Sequence, residues 1–461
     1  MTVSGLPRRR ICVLAMLLVA ALVLAAITWL GDGVLANLGQ GLGAIPAFVH
    51  DDPLPPEPPL ADPCNAQSDS CVIVRASQAQ HQLPAAPATN ASSAKLPRIL
   101  YYNTHGGTTQ NMRGITHALG LALDLFNPSQ VSPYGMSAAR ATLLIESSHV
   151  SFICNQYDIV IISDTVPHGR ALLQSLVHPN KNLRCSAKLV VEMTNRFDWD
   201  VKDRIAYYSL IRTLILDPNY WNRVYWVVNN NVEQAYVELY TGAKMRDVRL
   251  LRPVGMSKDY GYPDDLPPAS MENFAARTHD TTQIFESLRD DYAIPLTIFP
   301  FGHKYGGPKN LLNFKGWIDV PYQYSVMKFY ENIAYGVPQF VPTPRLFEFM
   351  LQNGMHYTHC IFIQVMKQFP IGQNRAVKVI PGFPEWSGYM DYYDPLFAPY
   401  VYYFDSIIEL QQLRLDSRQQ LDWKDIHKNG IEFYNRYRIQ IFEGWAQLFR
   451  DMGFPAVGVQ S

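Results

Sequence analysis

The chain has 461 residues, 48% of them hydrophobic and 17% charged, with a formal net charge of −1. Such a chain carries too much apolar surface to be disordered, and its balanced charge offers no polybasic footprint for nucleic acid. Its length exceeds one ordinary core and suits two domains plus terminal additions.

Residues 1–10 carry Arg8, Arg9 and Arg10 ahead of an apolar run over 11–30. That run is long enough to span a bilayer. Its far flank has Asp32 and no Lys or Arg before Arg75. The positive-inside rule therefore predicts a cytoplasmic tail, a type II anchor and a luminal or extracellular remainder. A cleaved signal peptide is the competing reading, since Ala36 and other small residues follow, although the apolar core is long for one.

Residues 31–95 cannot build a core. They are Gly- and Leu-rich, then proline-dominated through DDPLPPEPPLADP, then rich in Ala, Ser, Gln and Pro, the composition of a stalk. Asn90-Ala91-Ser92 is an N-glycosylation sequon there. Of six cysteines, Cys12 falls in the anchor and five on the oxidising side. Cys64 and Cys71 are placed to close a small stalk loop, Cys360 is left unpaired, and no Cys/His cluster has zinc spacing.

Residues 96–254 alternate strand and helix. Buried parallel strands are predicted at Arg98–Tyr102, Tyr157–Ser163, Lys188–Met193, Arg223–Val228 and Val248–Pro253. Helical patterns fall near Asn111–Phe126, Gly169–Val177, Val201–Leu216 and Val232–Tyr240. This is the rhythm of a doubly wound sheet, which binds ligands at the carboxyl ends of its strands. Cys154 and Cys185 each sit just ahead of a predicted strand at the same end of that sheet, so a Cys154–Cys185 disulfide is expected.

Polar residues gather where those strands end. Thr104-His105-Gly106-Gly107 follows the first strand, with Arg113 one turn into the next helix. The glycine pair permits close approach to a cleft floor, but it is not the GxGxxG of a dinucleotide fold. Ser163-Asp164-Thr165 ends the second strand. Glu192 through Asp200 ends the third, and includes Arg196, Asp198 and Trp199. His105, Asp198 and Glu192 are the candidate general bases, and Arg113 and Arg196 candidate charge partners in the cleft. His105 reads equally as a turn histidine, and Asp198 or Asp200 as a helix cap. Asp198-Trp199-Asp200 also mimics a metal-binding DxD, a motif frequent by chance; no metal site is expected.

Residues 255–293 mark a composition shift and are expected to connect the domains. The second domain, 294–461, opens with a strand at Ile294–Phe299 and the loop PFGHKYGGPKN, whose Gly306 and Gly307 allow close backbone approach. Lys304 is the preferred phosphate contact there, with His303 second and Lys309 near. Strands follow at Lys315–Ile318, Gln339–Val341 and Val401–Phe404, and a long helix runs from about Gly430 to Met452. In GFPEWSGYMDYYDPLFAPY, Glu385, Trp386 and Asp391 could contact sugar hydroxyls, although a packing loop explains them as well.

The segment PYQYSVMKFYENIAYGVPQFVPTP is the most informative. Ser325 is expected to cap a helix that closes at Gly336 and passes through Pro338 into a short strand. The open amides of such a helix start suit a phosphate. Glu331 lies between one and two turns along, where its carboxylate can accept from ribose hydroxyls. A diphosphate and a ribose held together describe a nucleotide-sugar.

The run Glu331-(x)4-Gly336-x-Pro338 resembles the donor-binding element of two-Rossmann-domain glycosyltransferases, the GT-B fold. The resemblance covers residues from about Leu96 onward in architecture and only short stretches in sequence. Many retaining members carry a second Glu where this chain has Gln323, so the retaining pattern is incomplete. The resemblance implies that Glu331 binds the donor's ribose or sugar, so that with Lys304, Ser325, Gln323, Gly306, Gly307 and Glu385 it makes up the expected donor site, beside an acceptor-binding first domain and a C-terminal helix that crosses back onto it. It implies a metal-independent transferase with no cofactor, acting on a glycan or glycoprotein. With the anchor and stalk, the expected place is a Golgi or endoplasmic reticulum membrane, head in the lumen. The alternatives are a non-catalytic, membrane-tethered glycan-binding or scaffold protein with this fold, and a sugar-nucleotide epimerase or glycosyl phosphorylase.

Overall fold

The computed structural model describes residues 96–131, 135–256, 271–278, 284–300, 304–355, 363–369, 377–415 and 423–460, and the two-residue strand Val74–Arg75. The expected anchor, most of the stalk with Asn90, Cys64 and Cys71, and also His303 and Cys360 lie outside the described residues. Among the described residues no helix is long and apolar enough to cross a membrane.

Among the described residues twelve strands form two sheets. The first takes β1 (Val74–Arg75), β2 (Ile99–Tyr102), β3 (Leu123–Phe126), β4 (Ile159–Thr165), β5 (Lys188–Arg196), β6 (Val224–Val228) and β7 (Arg249–Leu250), in the order β1-β3-β2-β4-β5-β6-β7. All pair in parallel except β1, which runs antiparallel along β3 from within the expected stalk. The second sheet is wholly parallel. It takes β8 (Phe274–Arg277), β9 (Leu296–Phe299), β10 (Gly316–Ile318), β11 (Gln339–Pro342) and β12 (Val401–Phe404), in the order β12-β11-β10-β8-β9.

The first domain carries α1 (Gly106–Ala118), α2 (Ala138–Glu146), α3 (His149–Gln156), α4 (Arg170–Leu176), α5 (Arg204–Leu216) and α6 (Asn231–Thr241). The second carries α7 (Ile284–Asp290), α8 (Pro308–Leu311), α9 (Met327–Tyr335), α10 (Pro344–Gln352), α11 (Ile363–Met366), α12 (Ile407–Leu415) and α13 (Trp423–Asp451). β4 reads IVIISDT and is buried along its whole length, as a parallel strand covered on both faces must be. These are two parallel α/β domains, each built on a Rossmann-like sheet.

Three sequence expectations need correction. The helix expected over Asn111–Phe126 stops at Ala118, because Gly120 takes φ +64° and the LDLF that follows pairs with β2 as β3. The residues between β3 and Tyr157, for which the sequence reading names no element, contain α2 and α3, separated by Ser148 at φ 67°. Residues 255–293 are not merely a connection. They contain β8, which lies between β9 and β10, so the second domain begins by Phe274. A four-residue FAAR strand is too short and too alanine-rich to show a pattern.

α13 closes the fold. Trp445, Phe449 and Met452 join the apolar layer of Ile99, Tyr101, Met112 and Ile115 under the first sheet. Lys188 Nζ donates to the Met452 carbonyl at 2.6 Å. The last helix of the second domain is thereby fastened to the first. Cys154 and Cys185 are joined by a disulfide, 31 residues apart in sequence.

Candidate functional site

In each sheet the strand order reverses beside one strand, and such switch points are where sheets of this kind bind ligands, in a crevice at the carboxyl ends. In the first sheet the reversal lies between β2 and β4, and in the second between β8 and β10.

The second crevice is built from Arg277 at the end of β8, Asp319 just past β10, and the first turn of α9. The amphipathic sequence of α9 turns Phe329, Tyr330 and Ile333 into the core and ends at Gly336, φ +70°, whose amide returns to Asn332 and Ile333 carbonyls. The N-cap is Val326, which has no side-chain oxygen, so no side chain caps the start of α9; the Phe329 amide donates to the Val326 carbonyl at 3.1 Å. The expected Ser325 cap is corrected here. Ser325 is buried, and its hydroxyl lies 3.0 Å from that of Tyr330.

Lys328, in the first turn of α9, is the residue the sequence reading missed. Its ammonium is buried with no hydrogen-bond partner among the described residues. It lies 3.3 Å from the Tyr305 ring centroid and 3.8 Å from that of Trp317. Burial draws its pKa well below the ordinary lysine value, against the pull of Glu331 and Asp319 toward the charged form. The same burial raises Glu331 to about 7 and Asp319 to about 6, with Lys328 opposing both shifts. A lysine three residues before a glutamate on an amphipathic helix was the available signal, since such spacing puts both on one face.

The glycine-rich loop contributes differently from what its sequence suggested. Gly306 and Gly307 are buried at φ +82° and +76°, conformations that favour glycine. They turn the chain so that the Tyr305 ring reaches Lys328. Lys304 is exposed, and so is Lys309. Gln323 is half-buried in the turn leading to α9, and Glu385 is exposed at the start of a short 3-10 turn. Trp386 is buried in the second core against Tyr393, with no open ring face for a sugar. Asp391 is buried in an ion pair with Arg252 at 3.2 Å and accepts from the Tyr330 hydroxyl.

In the first crevice His105 caps α1. Its Nδ1 accepts from the Thr108 amide at 3.4 Å, which leaves the proton of a neutral ring on Nε2. Glu192 is buried on β5, and the Tyr101 hydroxyl lies 2.9 Å from its Oε2 and 2.7 Å from Ser163 Oγ. Burial raises Glu192 to about 7; bonds to Ser163 and Tyr101 oppose this, and neighbouring Asp164 adds to it. Asp164 sits at φ 59°, a left-handed conformation unusual for a residue with a side chain, and accepts from Thr165 and Thr194. Asp198 lies apart from this group. It accepts from the Tyr208 hydroxyl and from that of Tyr236 at 3.2 Å. It caps no helix, since Asp203 stands at the N-cap of α5. Arg113 is exposed on α1, and the backbone of Arg196 pairs with Thr165 at the end of β5.

The two crevices meet. Gly106 is exposed, and a β-carbon built there would touch nothing. One built on Gly107 would lie 3.3 Å from Met327 Cγ. The start of α1 and the start of α9 therefore face each other across the domain boundary. Among the described residues no group of His, Cys, Asp and Glu could hold a metal ion.

No protein-family model matches the chain, and no curated protein matches it. Among solved structures, the chain is similar to the glycotransferase of kitacinnamycin, at 10% identity and TM-score 0.37, over 77% of this chain and 100% of that one. It is similar to the glycosyltransferase SnogD from Streptomyces nogalater, at 11% identity and TM-score 0.38, over 76% and 99%. It is similar to the spinosyn forosaminyltransferase SpnP, at 12% identity and TM-score 0.31, over 75% and 100%. At these identities and scores the likenesses are distant.

Proposed function

We propose that this protein is a glycosyltransferase that moves a sugar from a nucleotide-sugar to a hydroxyl of a glycan or glycoprotein. The observation that carries the reading is Lys328, a buried ammonium with no hydrogen-bond partner among the described residues, in the first turn of a helix that no side chain caps. An ammonium without acceptors is costly to bury. Diphosphate oxygens would satisfy both it and the open amides, at the crevice where parallel sheets bind ligands. Glu331, on the same face, would accept from the ribose or sugar hydroxyls. Lys328 and the α9 start would then neutralise the departing diphosphate, so that transfer needs no metal.

On the acceptor side, Gly107 brings the α1 start to the same place, and His105 would donate from Nε2 to a bound acceptor. The arginines at 8–10 and the apolar run at 11–30 support a type II membrane protein of the Golgi or endoplasmic reticulum, with the two domains in the lumen.

One observation favours a second reading. Each candidate base is engaged: His105 by Thr108, Glu192 by Tyr101, and Asp198 by two tyrosines. A protein that binds a nucleotide-sugar or glycan without turnover would look the same. The purified full chain, screened against nucleotide-sugars without added metal, separates the two. Thermal shift with release of nucleoside diphosphate, both lost in Glu331→Ala, is the result expected of a transferase. Shift without release supports binding without turnover, and neither effect with any donor overturns the transferase in favour of a glycan binder.

A further inference from the structure

Residues 252–256 cross from the first domain to the second, and they are held from several sides. The Arg252 guanidinium pairs with Asp391 at 3.2 Å and with Asp394, all three side chains buried or nearly so. The Tyr434 hydroxyl donates to the Pro253 carbonyl at 2.6 Å, and Arg438 Nε to the Val254 carbonyl at 2.8 Å. The Val254 amide donates to Asn111 Oδ1, on α1, at 2.8 Å. Gly255 stands at φ +62°, and a β-carbon there would lie 2.7 Å from Ala334 Cβ and 3.0 Å from the Tyr330 carbonyl, both on α9. Tyr330 in turn donates to Asp391.

The same few residues thus grip α1 through Asn111 and α9 through Tyr330 and Ala334. These are the two helices whose starts face each other at Gly107 and Met327. We propose that residues 252–256 set the register of one helix start against the other, and that Asn111 and Tyr330 are positioning residues for transfer between them. Neither reaches donor or acceptor in this scheme. They act by fixing the distance between the groups that do, and such distances weigh heavily in bimolecular transfer. The word transfer rests on the function proposed above; the register itself does not.

The test uses a ruler that needs no substrate. In a Gly107→Cys/Met327→Cys background of the full chain, mild oxidation should join the two helix starts. Asn111→Leu, which removes the acceptor for Val254, and Tyr330→Phe, which removes only a hydroxyl, should each slow this cross-link by about tenfold. Leu144→Ala, in the first-domain core away from the segment, controls for general destabilisation and should leave the rate unchanged. In the parent background the same two variants should lower kcat by about tenfold and leave the donor KM within about twofold, because α9 and Lys328 still hold the donor. Unchanged cross-linking in either variant, or equal slowing in Leu144→Ala, overturns the register. If the parent releases no nucleoside diphosphate, the transferase reading fails and the cross-link alone decides the proposal.

Discussion

The ammonium of Lys328 lies 3.3 Å from the centroid of the Tyr305 ring. This contact joins the glycine-rich loop to the first turn of α9 and makes one site of two motifs that the sequence holds 23 residues apart. A ring face attracts a cation but supplies no lone pair to its hydrogens. Among the described residues the ammonium therefore has attractive rings beside it but no acceptor.

Lys328→Met should therefore separate binding from folding. Loss of the charge should weaken nucleoside-diphosphate binding by at least about tenfold, while the melting midpoint holds or rises, since an apolar group of similar length replaces a buried cation. Lys304→Ala, on the exposed side of the same loop, should cost less affinity. Titration calorimetry with a nucleoside diphosphate checks both, and equal losses would reassign the phosphate contact to the loop.

The raised carboxylates set a pH dependence. Glu192 titrates near 7 in the fold against an ordinary 4.5, so the folded state holds its proton over a range where the unfolded chain has released it. Stability then falls as pH rises from about 4.5 to about 7 and levels off above. Glu331 and Asp319 add slopes of the same sign. Glu192→Gln keeps an acceptor for Tyr101 and cannot ionise. It should be nearly neutral at pH 5 and stabilising by about 1–3 kcal/mol at pH 8. Denaturant midpoints across that range measure it, and an unchanged slope would mean that Glu192 is ionised throughout.

The Cys154–Cys185 bridge closes a loop with a sequence separation of 31. Replacing both cysteines with alanine should lower stability by about 2–4 kcal/mol, chiefly by widening the unfolded ensemble. Denaturant unfolding under non-reducing conditions, with the free thiols counted, is the measurement. No loss of stability would show that the loop is held by packing alone.

Arg252 is paired with Asp391 and Asp394 away from water, whereas Arg345 and Asp405 form an ion pair at the surface. Arg252→Met leaves two carboxylates buried without their cation and should cost about 3–5 kcal/mol. Arg345→Ala should leave the melting midpoint within error. Comparable effects of the two would imply that water reaches the Arg252 site.

Much of the first domain was legible because a parallel strand covered on both faces must be apolar throughout. The continuous runs at β2, β4, β5 and β6 could hardly be anything else. β3 and β8 were not legible. LDLF continued an apparent helix until Gly120 is seen in its left-handed turn, and FAAR has no pattern long enough to read. The candidate site divides in the same way. Glu331 was found from its place in a motif with its own helix stop, while Lys328, one turn earlier, was passed over for the more conspicuous Lys304. Ser325 had the right residue type for a cap, yet the chain begins α9 one residue later and turns that hydroxyl to Tyr330.

The sequence alone determined what depends on near neighbours: the parallel strands, the Gly336 stop of α9, the loop glycines, and the pair of cysteines at one end of a sheet. Each follows from local sterics or from the period of the chain. Only the tertiary structure decided which polar groups are satisfied. Asp198, Asp391 and Ser325 meet partners between 5 and 139 residues away, whereas the Lys328 ammonium meets two rings and, among the described residues, no acceptor. Hydrogen bonding is a property of what the fold brings within about 3 Å, and no local pattern in the chain encodes that.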